Sequence, residues 1–192
     1  MKNVNFVVLA AGKGTRMKSS VPKVLHKLAG RSMLRHVIDA TKTVGESKKV
    51  IVTGHGAEQV EETFESADTK FVRQEDQLGT AHAVSMAIPE LCVDAIVVVL
   101  YGDVPLIRPV TLQRILASVN EKSMGLLTIS LDDPDGYGRI VRSADGLIES
   151  IVEQKDATNE QRNICEINTG VMALTSLQLR NWLPQISNNN CL

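Results

Sequence analysis

The sequence lacks a long apolar run, an excess of either charge and a cysteine framework, and each absence removes a class of protein. No run approaches the about 18 apolar residues that a membrane span needs, so no membrane partner is expected. Formal net charge is −1, which gives no bulk attraction to nucleic acid or to an anionic surface. Any bound anion must therefore be held by local groups. The three cysteines, Cys92, Cys165 and Cys191, form no Cys-x-x-Cys pair and no zinc spacing with the histidines. An odd count without a framework suits a reducing compartment. Cys92 and Cys165 sit in apolar sequence and are expected to be small buried packing residues. Internal repeats, low-complexity segments and long linkers are also absent. The start, Lys2 followed by Val4–Ala11, runs directly into Gly12-Lys13-Gly14-Thr15-Arg16. That continuation suits a buried strand feeding a functional loop, not a cleaved signal, and the expected location is cytoplasmic.

What is present is a chain of 192 residues, enough for one compact domain. Three near-continuous apolar runs, Val4–Leu9, Val50–Thr53 and Ile96–Leu100, suit strands covered on both faces, as in a parallel sheet. Helical patterns lie between them. Ser32 can cap Met33–Thr43, where Leu34, Val37 and Ile38 share a face; Thr80–Ile88 and Thr111–Val119 read the same way. After about residue 123 the pattern changes. Met124–Leu131 and Ile164–Leu174 are strand-like, and Arg139–Arg142 with Leu147–Val152 reads as an antiparallel hairpin. The expectation is an open α/β sheet with an antiparallel addition, in a single domain over 1–192.

The first strand ends in Leu9-Ala10-Ala11-Gly12-Lys13-Gly14-Thr15-Arg16. Small residues let the backbone approach a ligand, its N–H groups can hold phosphate oxygens, and Lys13 and Arg16 add charge. Such a loop past the carboxyl end of a strand lies where open α/β sheets bind ligands. It is neither a P-loop nor a dinucleotide fingerprint: no Gly-Lys-Ser/Thr follows at the right distance, and Met17 stands where GxGxxG needs its third glycine. A dinucleotide-binding oxidoreductase, argued from this loop alone, is thereby disfavoured. Lys23, aimed by Pro22, can reach the same phosphate, though an isolated lysine is more often a solvated one. The run Leu100-Tyr101-Gly102-Asp103-Val104-Pro105 places a carboxylate at a strand end, suited either to Mg²⁺ or to capping a turn. Amides within Gln74–Thr80, after a presumed strand, can read a base edge or simply form a polar loop. Gly136-Tyr137-Gly138-Arg139, Glu153 and Asn168 suggest a sugar-hydroxyl site, weakly when taken one at a time.

Taken together, the segments LAAGKGTRM, PKVLH, LAG, HVIDA, GHG, QLGTAHA, LYGDVPLI, GLLT, LDDP, GYGRI, IVEQKDAT and EINTG carry a resemblance. The chain resembles the uridylyltransferase domain of the bifunctional bacterial N-acetylglucosamine-1-phosphate uridylyltransferase / glucosamine-1-phosphate acetyltransferases, from about residue 6 to about residue 190. The resemblance implies a Rossmann-like nucleotide-diphospho-sugar transferase fold. It also implies a reaction with Mg²⁺, in which UTP and N-acetylglucosamine 1-phosphate give UDP-N-acetylglucosamine and pyrophosphate for peptidoglycan and lipopolysaccharide precursors. By the same resemblance, the Leu9–Gly12 backbone (Leu9, Ala10, Ala11, Gly12), Gln74 and Gly79 would hold the uracil end. Arg16 and Lys23 would hold phosphates. Thr80, Tyr101, Gly138, Glu153 and Asn168 would line the sugar and ribose region, Gly102 would also contact substrate or nucleotide, and Asp103 would bind the metal. Arg16, Lys23 and Asp103 are the expected catalytic residues.

No Ser-His-Asp or Cys-His constellation is present, and His26, His36, His55 and His82 are assigned no catalytic role. An already ionised sugar phosphate needs no general base, so positioning and charge neutralisation suffice. The family's later asparagine, a second metal ligand, and its acetyltransferase β-helix have no counterpart in 1–192. Acetyl transfer is therefore not expected, and the family's trimer is doubtful here. The alternative expectation is a truncated remnant that binds uridine nucleotide with little or no catalysis.

Overall fold

The computed structural model describes residues 3–12, 14 and 17–186. The chain forms two compact units. One takes in the chain up to Gly125 together with Met172–Ile186; the other takes in Leu126–Val171.

The first unit is built on β1 (Asn3–Leu9). A short ribbon of β2 (Lys27–Leu28) and β3 (Arg31–Ser32) precedes α1 (Met33–Thr41). β4 (Ser47–Thr53), α2 (Ala57–Phe64), β5 (Thr69–Arg73), α3 (Thr80–Ala87), β6 (Ala95–Tyr101) and α4 (Pro109–Ala117) follow. Four parallel strands take the order β5-β4-β1-β6. The last residues of a long strand, Met172–Thr175, run antiparallel beside β6. Numbered as parallel strands, the order is 3-2-1-4, so it reverses between β1 and β6. That is the switch point at which doubly wound sheets open a crevice.

The apolar runs become strands because both faces are covered. Phe6, Val7 and Val8 are each fully buried, one after another. Val7, Val50, Val52, Val97 and Val99 pack under Ala83, Val84 and Ala87 of α3 and under Leu179 of α6 (Ser176–Trp182). Phe6 and Val8 point the other way by strand alternation, toward the face that right-handed crossovers give to α1 and α2. Ser32 caps α1 as expected, its hydroxyl accepting from the Arg35 amide at 3.3 Å. The strand presumed before Gln74 is β5. The helix α2 was not foreseen: it is short, begins after Gly56 in a left-handed conformation, and buries only Ala57, Val60 and Phe64.

The second unit holds most of β7 (Gly125–Ser130), the hairpin β8 (Arg139–Arg142) and β9 (Ile148–Val152), the single turn α5 (Asn159–Arg162), and the earlier part of β10 (Glu166–Thr175). β7 and β8 pair with β10, and β8 pairs antiparallel with β9. The hairpin closes where the Ser143 amide donates to Leu147 O at 2.9 Å. Its organiser is Arg139, fully buried, which donates to Tyr137 O, to Gln154 Oε1 at 2.5 Å and to Arg162 O at 3.4 Å.

One expectation is overturned. Cys92 and Cys165 are exposed. Both lie in connecting segments, where an apolar sequence neighbourhood does not place a residue on a packed face. Beside Cys92, Leu91 is buried but Val93 is 78% exposed. Among the described residues no helix is long and apolar enough to cross a membrane.

The second unit also contains a pH-sensitive contact. Arg142 grips Glu166 with two hydrogen bonds, at 2.8 and 2.7 Å, and the Thr128 hydroxyl adds a third at 2.6 Å. Arg142 first, then Thr128, hold the Glu166 carboxyl down to about 2 from an ordinary value of 4.5. A depressed carboxyl contributes stability that is complete above 4.5 and is lost as pH falls toward 2. Glu166→Gln should therefore flatten the loss of stability across that window. Urea titrations at stepped pH measure it, and parallel slopes for the two proteins would count against the assignment.

Candidate active site

Three strand ends in the first unit finish in register. Leu9 stands opposite Val52 on one side and Tyr101 on the other. The ladder runs one step further: the Ala10 amide donates to Val52 O at 2.8 Å, Gly102 to Leu9 O at 2.9 Å and Gln74 to Thr53 O at 2.8 Å. This fixes the Leu9–Gly12 backbone, Gln74 and the Gly102-Asp103 turn at one edge of the sheet.

They line a cavity of about 300 Å³ formed by Leu9–Gly12, Lys23, Val24, Gln74, Gln77, Gly79, Thr80, Ala83, Tyr101 and Asp103. That volume is at the lower end for small-molecule sites. Gly79, with φ of +98°, is the N-cap of α3, so the first amides of that helix, which have no intrahelical partner, lie at the cavity. Gly102 is buried against Val24 and Leu34 and supports the floor.

Glycines beneath the first loop set its path. A Cβ on Gly54 would sit 2.8 Å from Ala11 O, and one on Gly56 2.4 Å from Pro22 Cγ. The GHG segment thus packs under both Ala11 and the proline that precedes Lys23. Across the cavity, Lys23 Nζ lies 2.6 Å from Asp103 Oδ2. Lys23 is 42% exposed and Asp103 27%. So open an ion pair contributes about 1 kcal/mol or less, and an incoming anion and cation can separate it at little cost.

Nine of the expected residues, Leu9, Ala10, Ala11, Gly12, Lys23, Gln74, Gly79, Thr80 and Tyr101, are thus brought together with Asp103, while Gly102 lies just behind them. Arg16 lies outside the described residues. Gly138, Glu153 and Asn168 belong to the second unit and meet there: the Asn168 amide donates to Gly138 O at 2.8 Å, and a Cβ on Gly138 would sit 3.0 Å from Glu153 Oε1. Sequence reasoning passed over Gln77, whose amide donates to Ala11 O at 2.7 Å. It shares the QLGT segment with Gly79, and nothing in spacing alone separates its role from that of Gln74. Among the described residues no cluster of three or more His, Cys, Asp or Glu side chains could hold a metal. A cation here would rest on Asp103, waters and phosphate oxygens, an arrangement that Mg²⁺ tolerates.

A switch-point cleft with a small-residue loop, a lysine and a carboxylate is the layout of a nucleotidyltransferase, and the comparisons place the chain in that class. A family model described as the MobA-like NTP transferase domain matches residues 6–164, and the chain belongs to that family. Curated relatives include the bifunctional protein GlmU of Cellvibrio japonicus, 53% identical over 187 residues, and that of Marinobacter nauticus, 53% identical over 190. These alignments cover 97% and 99% of this chain but 41% and 42% of the relatives. The chain thus spans about two fifths of the length of the curated relatives it matches. Among solved structures, a putative glucose-1-phosphate thymidylyltransferase from Bacillus anthracis aligns with a TM-score of 0.78 at 18% identity, over 96% of this chain and 76% of that one. HddC from Yersinia pseudotuberculosis gives 0.73 at 20%, over 92% and 79%. At these identities the likeness speaks for the fold, which is the Rossmann-like α/β fold expected.

The close packing under Ala11 yields a test. Gly54→Ala should displace the Leu9–Gly12 backbone and cost about 1–3 kcal/mol, as overpacking does. Chemical denaturation measures the cost, and an unchanged midpoint would show that the loop does not depend on this contact.

Proposed function

We propose that the chain transfers uridylyl from UTP to N-acetylglucosamine 1-phosphate, giving UDP-N-acetylglucosamine and pyrophosphate for cell-envelope polysaccharide synthesis. The observation that carries the reading is the Lys23–Asp103 pair at 2.6 Å, facing the cavity beside the Leu9–Gly12 backbone. One group suits a phosphate and the other a metal ion, and both sit where a triphosphate would cross the switch point.

The chemistry asks little of side-chain bases. An oxygen of the sugar phosphate, already ionised, attacks the α-phosphorus; the bond to the β-phosphate oxygen breaks and pyrophosphate leaves. What the protein must supply is alignment and countercharge. Lys23 leaves Asp103 for the phosphates, and Arg16, which ends the glycine-rich segment in the sequence, would add a second cation. Asp103, once released, is the carboxylate that would hold Mg²⁺, which supplies charge neutralisation across the phosphate chain when bound. Gln74, Gly79 and the Leu9–Gly12 backbone take the base. Thr80 and Tyr101 serve the sugar and ribose; the family resemblance assigns Gly138, Glu153 and Asn168, which meet within the second unit, to the same group.

Pyrophosphate release under saturating UTP, N-acetylglucosamine 1-phosphate and Mg²⁺ tests this reading. Lys23→Ala should lower turnover on the order of 10²-fold or more, because a charge-assisted contact strengthened in the transition state is lost. Its melting temperature should stay close to that of the parent, since the pair it breaks is open to solvent. Unchanged turnover would remove Lys23 from the mechanism.

A further inference from the structure

Gln74 is held from behind. The residue is 4% exposed, and its carboxamide Nε2 lies 3.1 Å from Gly79 O and 3.0 Å from Nδ1 of His82. A carbonyl oxygen only accepts, so the amide nitrogen and not the amide oxygen must face Gly79. That fixes which way the carboxamide is turned and uses one N–H. The second N–H points at His82, whose Nδ1 can accept it only in the neutral ring that carries its proton on Nε2. Both donors are then occupied. Oε1 is left, with no partner among the described residues, on a side chain that lines the cavity. His82 itself is half-buried on α3 and is not one of the residues lining the cavity, so it acts through Gln74.

We propose that His82 is a positioning residue that locks the Gln74 carboxamide as a pure hydrogen-bond acceptor, and that this lock makes the cavity prefer a base with an N–H on its pairing edge, uracil, over one with a bare ring nitrogen there, cytosine. The inference rests on the uridine-nucleotide reading given above and deepens it. A carboxamide free to turn offers a donor or an acceptor with equal ease and discriminates poorly. With the lock, cytosine N3 meets an oxygen, two lone pairs face each other, and neither is paired. Without His82, only the Gly79 bond opposes rotation. The donor that uracil O4 needs must come from elsewhere, and the Ala10–Gly12 amides lie on the same cavity wall.

The test is the ratio of dissociation constants for UTP and CTP, measured by titration calorimetry on the parent chain, His82→Leu and His82→Asn. The parent should favour UTP. His82→Leu removes the acceptor and should lower that preference by about tenfold, the worth of one hydrogen bond. His82→Asn presents Oδ1 close to where Nδ1 lies and should restore it. A merely structural role would weaken both nucleotides together and leave the ratio alone, so a folded His82→Leu with the parent's ratio overturns the inference. A parent that binds UTP and CTP equally sinks the uridine reading itself, and the inference with it. Should the leucine variant fail to fold, the ring ¹⁵N spectrum of the parent decides: a neutral ring protonated at Nε2 supports the lock, and a proton on Nδ1 overturns it.

Discussion

The site depends on the register of three parallel strands. Because β1 pairs with β4 and β6 up to its last residue, Val52, Leu9 and Tyr101 stand in one row. Each chain then leaves the sheet one hydrogen bond later, at Ala10, Gly102 and, from the next strand, Gln74. A slip of one residue would exchange the faces of the strand and bury the wrong set of side chains. Since Phe6, Val7 and Val8 are all fully buried, both faces resist such a slip. The register that packs the core is therefore also the register that brings a loop, an amide and a carboxylate to one edge.

Above that edge the arrangement is loose by design of its charges. Lys23 and Asp103 neutralise one another across the cavity, partly in solvent. Neither is committed to the fold, in contrast to Arg139, whose guanidinium is wholly enclosed by the second unit. Lys23 and Arg139 both sit in segments that the sequence offers as ligand-binding candidates. One cation is a structural pin, and the other is free to change partners. Burial decides between them, and burial is what a sequence reports least directly.

Three of the parallel strands, β1, β4 and β6, were legible because they carry near-continuous apolar runs, and α1 because Ser32 stands just before an amphipathic stretch. The strand ends gave away Asp103 and the first loop, since a glycine-rich turn or a Gly-Asp after such a run falls at a carboxyl edge. Other features had no comparable signal. The exposure of Cys92 and Cys165 depends on where connecting segments run, not on their apolar neighbours. The close packing of Gly54 and Gly56 beneath Ala11 and Pro22 joins residues more than thirty positions apart. The orientation of Gln74 rests on a carbonyl five residues along and a ring eight residues along, a relation that exists only once β5 and α3 have been folded against each other.

Under the proposed function, a uridine nucleotide would occupy the cleft at the carboxyl ends of β1 and β6. Backbone amide chemical shifts followed through a UTP titration in the presence of Mg²⁺ test it most directly. The amides of Leu9–Gly12, Gln74–Thr80 and Tyr101–Asp103 should move together, on one binding curve. Shifts confined to a single segment, or centred at the opposite, amino-terminal end of β6 around Val93, Leu177 and Trp182, would overturn it.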